Sequence, residues 1–308
     1  MTLHPQAVAA LAAWASGPDV TDPGFGPADI EAVRRADREV AALEPREGVE
    51  RVEDVDADGV ACRLYVPAAT PPGPARTLVF LHGGGFVFGD LDTHDAQARR
   101  LANRAASVVL AVDYRRPPQH RFPAAPDDVD TALRWLLAHA EDHGVDRGRV
   151  VAVGDSAGGN LALVAALRNP GRLAATVLVY PFVDATASMP SYRRSDGGLT
   201  RAEGEWYLRQ YIRDERDLAD PDLAPYDSTR LGTLPPTLVQ VAEHDVLADE
   251  DHELGRRIAA AGATVEVTDF SGMVHGFWRH PDLFDAAEEA LADLVRFLDR
   301  HVAATTPS

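Results

Sequence analysis

The chain has 308 residues, 45% of them hydrophobic and 25% charged, a composition that fits a folded globular protein and excludes a disordered one. That length suits one large α/β domain with insertions, or two smaller domains. With 48 acidic against 30 basic side chains the formal net charge is −18, which disfavours nucleic-acid and membrane-surface partners; lysine is absent, which excludes Schiff-base chemistry and a Walker-type phosphate loop.

In chain order, helices are expected at residues 5–16 and 27–43, around a turn-rich stretch at 17–26. The Ala-rich run 8–15 has no Lys or Arg before it and is too short for a membrane span, so it reads as an amphipathic helix rather than a signal peptide. A cytoplasmic location is the expectation. Segments 49–54 and 60–66 alternate apolar and polar side chains, with Asp58-Gly59 as the hairpin turn between them. The run Asp54-Val55-Asp56-Ala57-Asp58-Gly59 also looks like the start of a calcium loop, but Tyr65 stands where that loop needs a bidentate Glu. Cys62, the only cysteine, sits on the second of these strands and reads as inert packing; alone it can form neither an intrachain disulfide nor a thiolate zinc cage.

From residue 76 onward, short continuous apolar runs at 77–81, 108–112, 150–153, 175–179, 238–241 and 265–267 read as strands buried on both faces. Helical periods at 93–104, 127–143, 157–168, 249–261 and 281–301 separate them. Repeated strand–helix alternation predicts a mostly parallel sheet between helix layers. The stretch 184–234 breaks the rhythm. It has no buried-strand run but carries Tyr192, Trp206, Tyr207, Tyr211 and Tyr226. The expected organisation is therefore an N-terminal part of a helical cap (1–48), a core interrupted once (49–183 and 235–308), and a cap insertion (184–234).

Chemistry concentrates in four places. Gly154-Asp155-Ser156-Ala157-Gly158-Gly159 joins a strand to a helix, the context that lifts a serine hydroxyl above a sheet edge. His82-Gly83-Gly84-Gly85-Phe86 ends the strand at 77–81 and exposes backbone N–H groups suited to a developing oxyanion; its glycine spacing does not fit a dinucleotide loop. A serine needs a base. Of eleven histidines, His275 lies in a loop expected after the last strand, on the edge where all parallel strands end. Asp245, directly after the strand at 238–241, is the candidate acid; Asp249 reads as a helix start, while Glu243 and Asp269 are weaker rivals. Asp127-Asp128 and Asp249-Glu250-Asp251 read as helix N-terminal charge rather than metal ligands. His82 reads as structural. The order Ser156, Asp245, His275 is that of an α/β-hydrolase triad.

Together these motifs, with Asp245-Val246-Leu247-Ala248-Asp249-Glu250 and His275-Gly276-Phe277, resemble the hormone-sensitive-lipase family of bacterial carboxylesterases over about residue 50 to the C-terminus. The resemblance implies an α/β-hydrolase fold, with an eight-stranded, mostly parallel sheet between helices and a helical cap. It also implies activity on short-chain acyl esters and an oxyanion hole made by the amides of Gly83, Gly84 and Ala157. No metal or organic cofactor is expected, the partner is a small-molecule ester, and homodimers through the last strand and helix occur in the family. The segment Asp113-Tyr114-Arg115-Arg116-Pro117-Pro118-Gln119-His120 departs from the family's Asp-Tyr-Arg-Leu-Ala-Pro-Glu-His, exchanging its acid for Gln119 and adding Arg116. Phe86, Asp155, Trp206 and Tyr207 are candidate substrate contacts. With Trp14 and Phe25, the aromatic ones are equally candidates for packing inside the cap. Lactone, amide or formamide hydrolysis uses the same triad, and a non-catalytic ligand receptor is the reading from another class, disfavoured by an intact base.

Overall fold

The computed structural model describes residues 2–69, 73–194 and 197–302. The extreme ends of the expected first and last segments, residues 1 and 303–308, lie outside it. Eight strands form one sheet: β1 (Arg51–Ala57), β2 (Val60–Val66), β3 (Ala75–Leu81), β4 (Val108–Val112), β5 (Val145–Asp155), β6 (Ala175–Val179), β7 (Thr237–His244) and β8 (Val265–Val274). Their order across the sheet is β1-β2-β4-β3-β5-β6-β7-β8. Only β2 runs antiparallel to its neighbours, and every pair from β4 to β8 is parallel.

Every residue of β3, β4 and β6 is buried, as suits their mostly apolar sequences when both faces are covered, and the one charged side chain among them, Arg76, donates to Ser107 Oγ and the Ala105 carbonyl. One face packs on α4 (Ala124–Ala138), α5 (Ala157–Arg168) and α7 (Ala248–Ala260); the other packs on α1 (Pro5–Trp14), α3 (Asp95–Ala105) and α8 (Asp285–His301). Helix α5 is apolar nearly all round and correspondingly buried along its whole length up to Leu167. The remaining helices are α2 (Pro27–Ala41) and α6 (Arg201–Tyr211), the latter opened by a Thr200/Glu203 capping box. Between β6 and β7, residues 184–234 hold α6 and four 3₁₀ turns, and no strand among the described residues. Among the described residues no helix is long and apolar enough to cross a membrane.

Three element boundaries differ from expectation in instructive ways. Strand β8 continues to Val274, so His275 follows a strand directly instead of sitting inside a loop at 271–277. The reason is a bulge. Gly272, at φ 74°, breaks the apolar pattern while its N–H donates to Glu243 Oε2 at 2.8 Å and its carbonyl accepts from the His4 amide at 3.0 Å, after which Val274 pairs again with His244. Helix α4 begins at Ala124 and ends at Ala138 rather than spanning 127–143, and α8 begins at Asp285 rather than 281. In the 281–284 stretch the backbone makes turn bonds from Leu283 and Phe284 to the His280 carbonyl instead.

Candidate active site

Ser156 occupies the turn between β5 and α5 with φ 55° and ψ −118°, a backbone region that L residues adopt only under constraint. The constraint is close packing. A Cβ on Gly158 would lie 1.9 Å from the Leu81 carbonyl oxygen, and one on Gly154 would lie 2.3 Å from that of Gly158. Glycine at both positions lets α5 start against the ends of β3 and β5, and the Ser156 amide donates to the Val179 carbonyl at 2.9 Å.

His275 and Asp245 reach the serine from β8 and β7. The His275 Nε2–Ser156 Oγ distance is 2.9 Å, and the Nδ1–Asp245 Oδ2 distance is 2.6 Å. Asp245 is fully buried, and its second oxygen accepts the Leu247 amide at 3.1 Å. Burial pulls the His275 pKa down, but the charge and hydrogen bond of Asp245 outweigh it, leaving the imidazole above its ordinary value. The rival acids are engaged elsewhere: Asp249 accepts the Ser191 amide, Glu243 the Gly272 amide, and Asp269 faces His252. Glu250 accepts the amides of Val183 and Asp184 and the Tyr192 hydroxyl, which pins the start of the 184–234 segment to α7.

The glycine loop corrects one expectation. The Gly83 N–H donates to Asp155 Oδ1 at 3.1 Å, so it is not free to meet an oxyanion. The N–H groups of Gly84 and Gly85 make no hydrogen bond among the described residues, and that of Ala157 is one of the unpaired donors in the first turn of α5. Their directions are set from behind, because N–H and C=O of one trans peptide point opposite ways. The Gly83 carbonyl faces His82 Nδ1 at 2.8 Å, which aims the Gly84 N–H away; the Gly84 carbonyl accepts the amides of Val87 and Phe88, which aims that of Gly85. Asp155 is thus a brace of the loop. Burial pushes its carboxyl up to about 6, against the pull of His275, Arg279 and the Gly83 N–H.

His82 is structural, as expected. Its ring stacks on Tyr114 with centroids 4.3 Å apart, and the Tyr114 hydroxyl donates to the His82 carbonyl at 2.7 Å. Arg116 ion-pairs with Asp113 at 2.5 Å and places Nη1 3.4 Å from His82 Nε2. A guanidinium can only donate, so Nε2 is the acceptor and the ring proton sits on Nδ1, facing the Gly83 carbonyl. Burial, followed by the charge of Arg116, lowers the His82 pKa to about 4.

A cavity of about 910 Å³ opens over Ser156 and His275. Phe86 lines it and stacks on Tyr211, with centroids 3.9 Å apart and planes within 1°. Tyr207 also lines it, its ring packed so closely on Gly85 that a Cβ there would lie 2.2 Å away. Trp206 does not. It packs with Val20, Ile30, Val87 and Phe88, because successive residues of α6 point to different sides of the helix and 206 turns away from the cavity. Trp14 and Phe25 also pack outside it, Trp14 against His280 and Phe284, and Phe25 edge-on to Trp206. Cys62 is buried, with its thiol pushed up to about 12, and the turn at Asp58-Gly59 closes through the Asp56 carboxylate accepting the Gly59 amide at 2.5 Å. Among the described residues no three His, Cys, Asp or Glu side chains gather as a metal site.

Two features escaped the sequence. Gly197 gives its carbonyl to the His275 amide at 2.9 Å, and a Cβ on it would lie 2.2 Å from the His244 carbonyl oxygen. The paired glycines 197–198 in an otherwise polar stretch were the available signal. Tyr180, buried at φ 36° with its ring centroid 4.7 Å from that of His275, carried no signal beyond its place at a strand end.

The family model for the alpha/beta hydrolase fold matches residues 78–279. Among curated proteins, an ethyl acetate hydrolase of Pseudomonas putida is 38% identical over 255 residues, which cover 80% of each chain. The esterase LipI of Mycobacterium tuberculosis is 37% identical over 276 residues, 85% of each. Among solved structures, a hyperthermophilic esterase from Pyrobaculum calidifontis superposes with a TM-score of 0.88 at 33% identity, covering 99% of this chain and 100% of its own. With the motifs in register and the fold shared end to end, this chain belongs to the α/β-hydrolase family, in its hormone-sensitive-lipase-like group of bacterial carboxylesterases.

Proposed function

We propose that the protein hydrolyses short-chain carboxylic esters through an acyl-enzyme at Ser156. One observation carries the reading: a serine hydroxyl on a strained strand-to-helix turn lies 2.9 Å from an imidazole whose far nitrogen is 2.6 Å from a buried carboxylate. As Oγ attacks the ester carbonyl, His275 Nε2 takes its proton and Asp245 holds the proton on Nδ1, stabilising the imidazolium. The amides of Gly84, Gly85 and Ala157 receive the carbonyl oxygen as it gains charge. His275 then protonates the leaving alcohol. Water, activated by the same imidazole, releases the acid. None of these steps needs a metal or an organic cofactor.

Segments 1–48 and 184–234 serve in this reading as a cap, which limits the acyl group through Tyr207 set against Phe86 of the core. The same triad could open lactones, amides or formamides. Initial rates over p-nitrophenyl esters of rising acyl length, beside an amide and a lactone of matched size, separate these. We expect a maximum among short acyl chains, at least a hundredfold above the amide, and no turnover in Ser156→Ala. Equal rates on amide and ester would move the assignment, and turnover retained in Ser156→Ala would end it. Two further proposals accompany this one. The outer edge of β8 has no strand partner among the described residues and β8 exposes Val267, which favours pairing of two copies there; light scattering at twice the monomer mass would bear it out. A cytoplasmic site of action rests on the sequence reading and is tested by cell fractionation.

A further inference from the structure

Part of the cavity wall is polar in a way that hydrolysis of simple alkyl esters does not require. Gln97 and Arg100, three residues apart on α3, share one face of that helix and both line the cavity. Gln97 is only 5% exposed, and neither its Oε1 nor its Nε2 has a hydrogen-bond partner among the described residues. Native interiors seldom leave both ends of an amide unpaired, and each such group favours whatever ligand completes it. Arg100 repeats the pattern. Its side chain is 10% exposed, its Nε donates to Glu288 Oε1 at 3.1 Å, and its two terminal nitrogens make no hydrogen bond among the described residues. Elsewhere on the wall Phe86, Leu199, Tyr207, Leu208 and Leu247 contribute apolar side chains.

The charges around this polar stretch select among ligands. Glu288 pairs with both Arg100 and Arg104, and Glu47 pairs with Arg104, so the two cations and two anions here balance. A carboxylate would find no unbalanced positive charge to offset its desolvation there, and a bare alkyl group would leave the amide of Gln97 and the nitrogens of Arg100 unsatisfied. A neutral carboxamide meets both demands: its oxygen accepts from Arg100 and from Gln97 Nε2, and its N–H donates to Gln97 Oε1.

We propose that the Gln97–Arg100 face of α3 is a subsite for a carboxamide carried by the ester substrate, away from the scissile bond. The inference rests on Ser156 being the nucleophile and extends that reading to a substrate class. Two matched series test it. The first pairs p-nitrophenyl esters whose acyl chains end in a carboxamide with esters ending in the isosteric isopropyl group or in a carboxylate. The second pairs acetates of alcohols ending in the same three ways. In one series the carboxamide ester should exceed the isopropyl ester by about tenfold in kcat/KM, with the carboxylate lowest, and that series also identifies which side of the ester the subsite holds. In Gln97→Leu the carboxamide preference should vanish or invert. Isopropyl esters equal to or better than carboxamide esters in both series of the wild-type enzyme would overturn the subsite while leaving the esterase reading intact. Failure to turn over any ester would overturn the esterase reading itself. Should Gln97→Leu not fold, the wild-type series decides alone.

Discussion

At the rim of the sheet, every group facing the reacting atoms is held by backbone or by a buried hydrogen bond. Ser156 is fixed by a turn only glycine neighbours permit, His275 by Asp245 and by the Gly197 carbonyl, and the Gly84 and Gly85 amides by what their own peptide planes bind behind them. In the cap, by contrast, α6, the helix that brings Tyr207 to the cavity, is seated largely by side-chain packing. Trp206 anchors α6 among Val20, Ile30, Val87 and Phe88, and Tyr207 leans on Gly85. The first kind of construction fixes a reaction and tolerates little change. The second sets what fits above it, and can vary without moving the reacting atoms.

The comparison breaks if substitutions in the two regions have the same kinetic signature. The largest effect is expected from Asp245→Asn, which keeps shape but removes the charge that holds the His275 tautomer: kcat should fall by roughly a thousandfold or more with KM little changed. The pH profile carries a sign. The base works when neutral, so activity falls as pH drops through the His275 pKa, which Asp245 holds above its ordinary value. In Asp245→Asn the residual activity should therefore persist to lower pH than in the wild type, and an acid limb moved to higher pH would contradict the assignment.

Tyr207→Ala sharpens the other half of the contrast. Removing an aromatic ring from the cavity wall should raise KM for short esters by about tenfold and shift the preferred acyl chain upward, with kcat within about a factor of two. A collapse of kcat at unchanged KM would mean that Tyr207 acts on the glycine loop rather than on the substrate. The smallest effect is expected from Arg116→Leu. Without the guanidinium the His82 proton can move to Nε2, and the Gly83 carbonyl loses its donor. We expect kcat to fall by about threefold at constant KM, with the acid-shifted His82 resonance moving toward ordinary histidine behaviour in an NMR titration. A His82 titration that stays near 4 in Arg116→Leu would show that burial alone sets it.

The rim was readable because its constraints are local. A glycine two positions either side of a serine, or a histidine next to three glycines, marks a backbone shape that few residues allow, and Ser156, Asp245 and His275 stood in the right order at strand ends. Which glycine amides stay free was not readable. That the Gly83 N–H is occupied depends on the Asp155 carboxylate, 72 positions away in sequence. The cap contacts were hidden for a related reason: Trp206 and Tyr207 are adjacent, and only the rotation of α6 decides which of them meets the cavity. The continuation of β8 to Val274 was masked by Gly272, whose bulge interrupts the apolar alternation that marks a strand.

The central claim is that Ser156 Oγ becomes covalently acylated, and covalent trapping tests it most directly. After treatment with a fluorophosphonate, intact-mass and peptide mapping should show one adduct per chain, located on the peptide containing Ser156, with esterase activity lost in proportion to labelling. Full labelling at another residue, or full inactivation with Ser156 unmodified, would contradict the account.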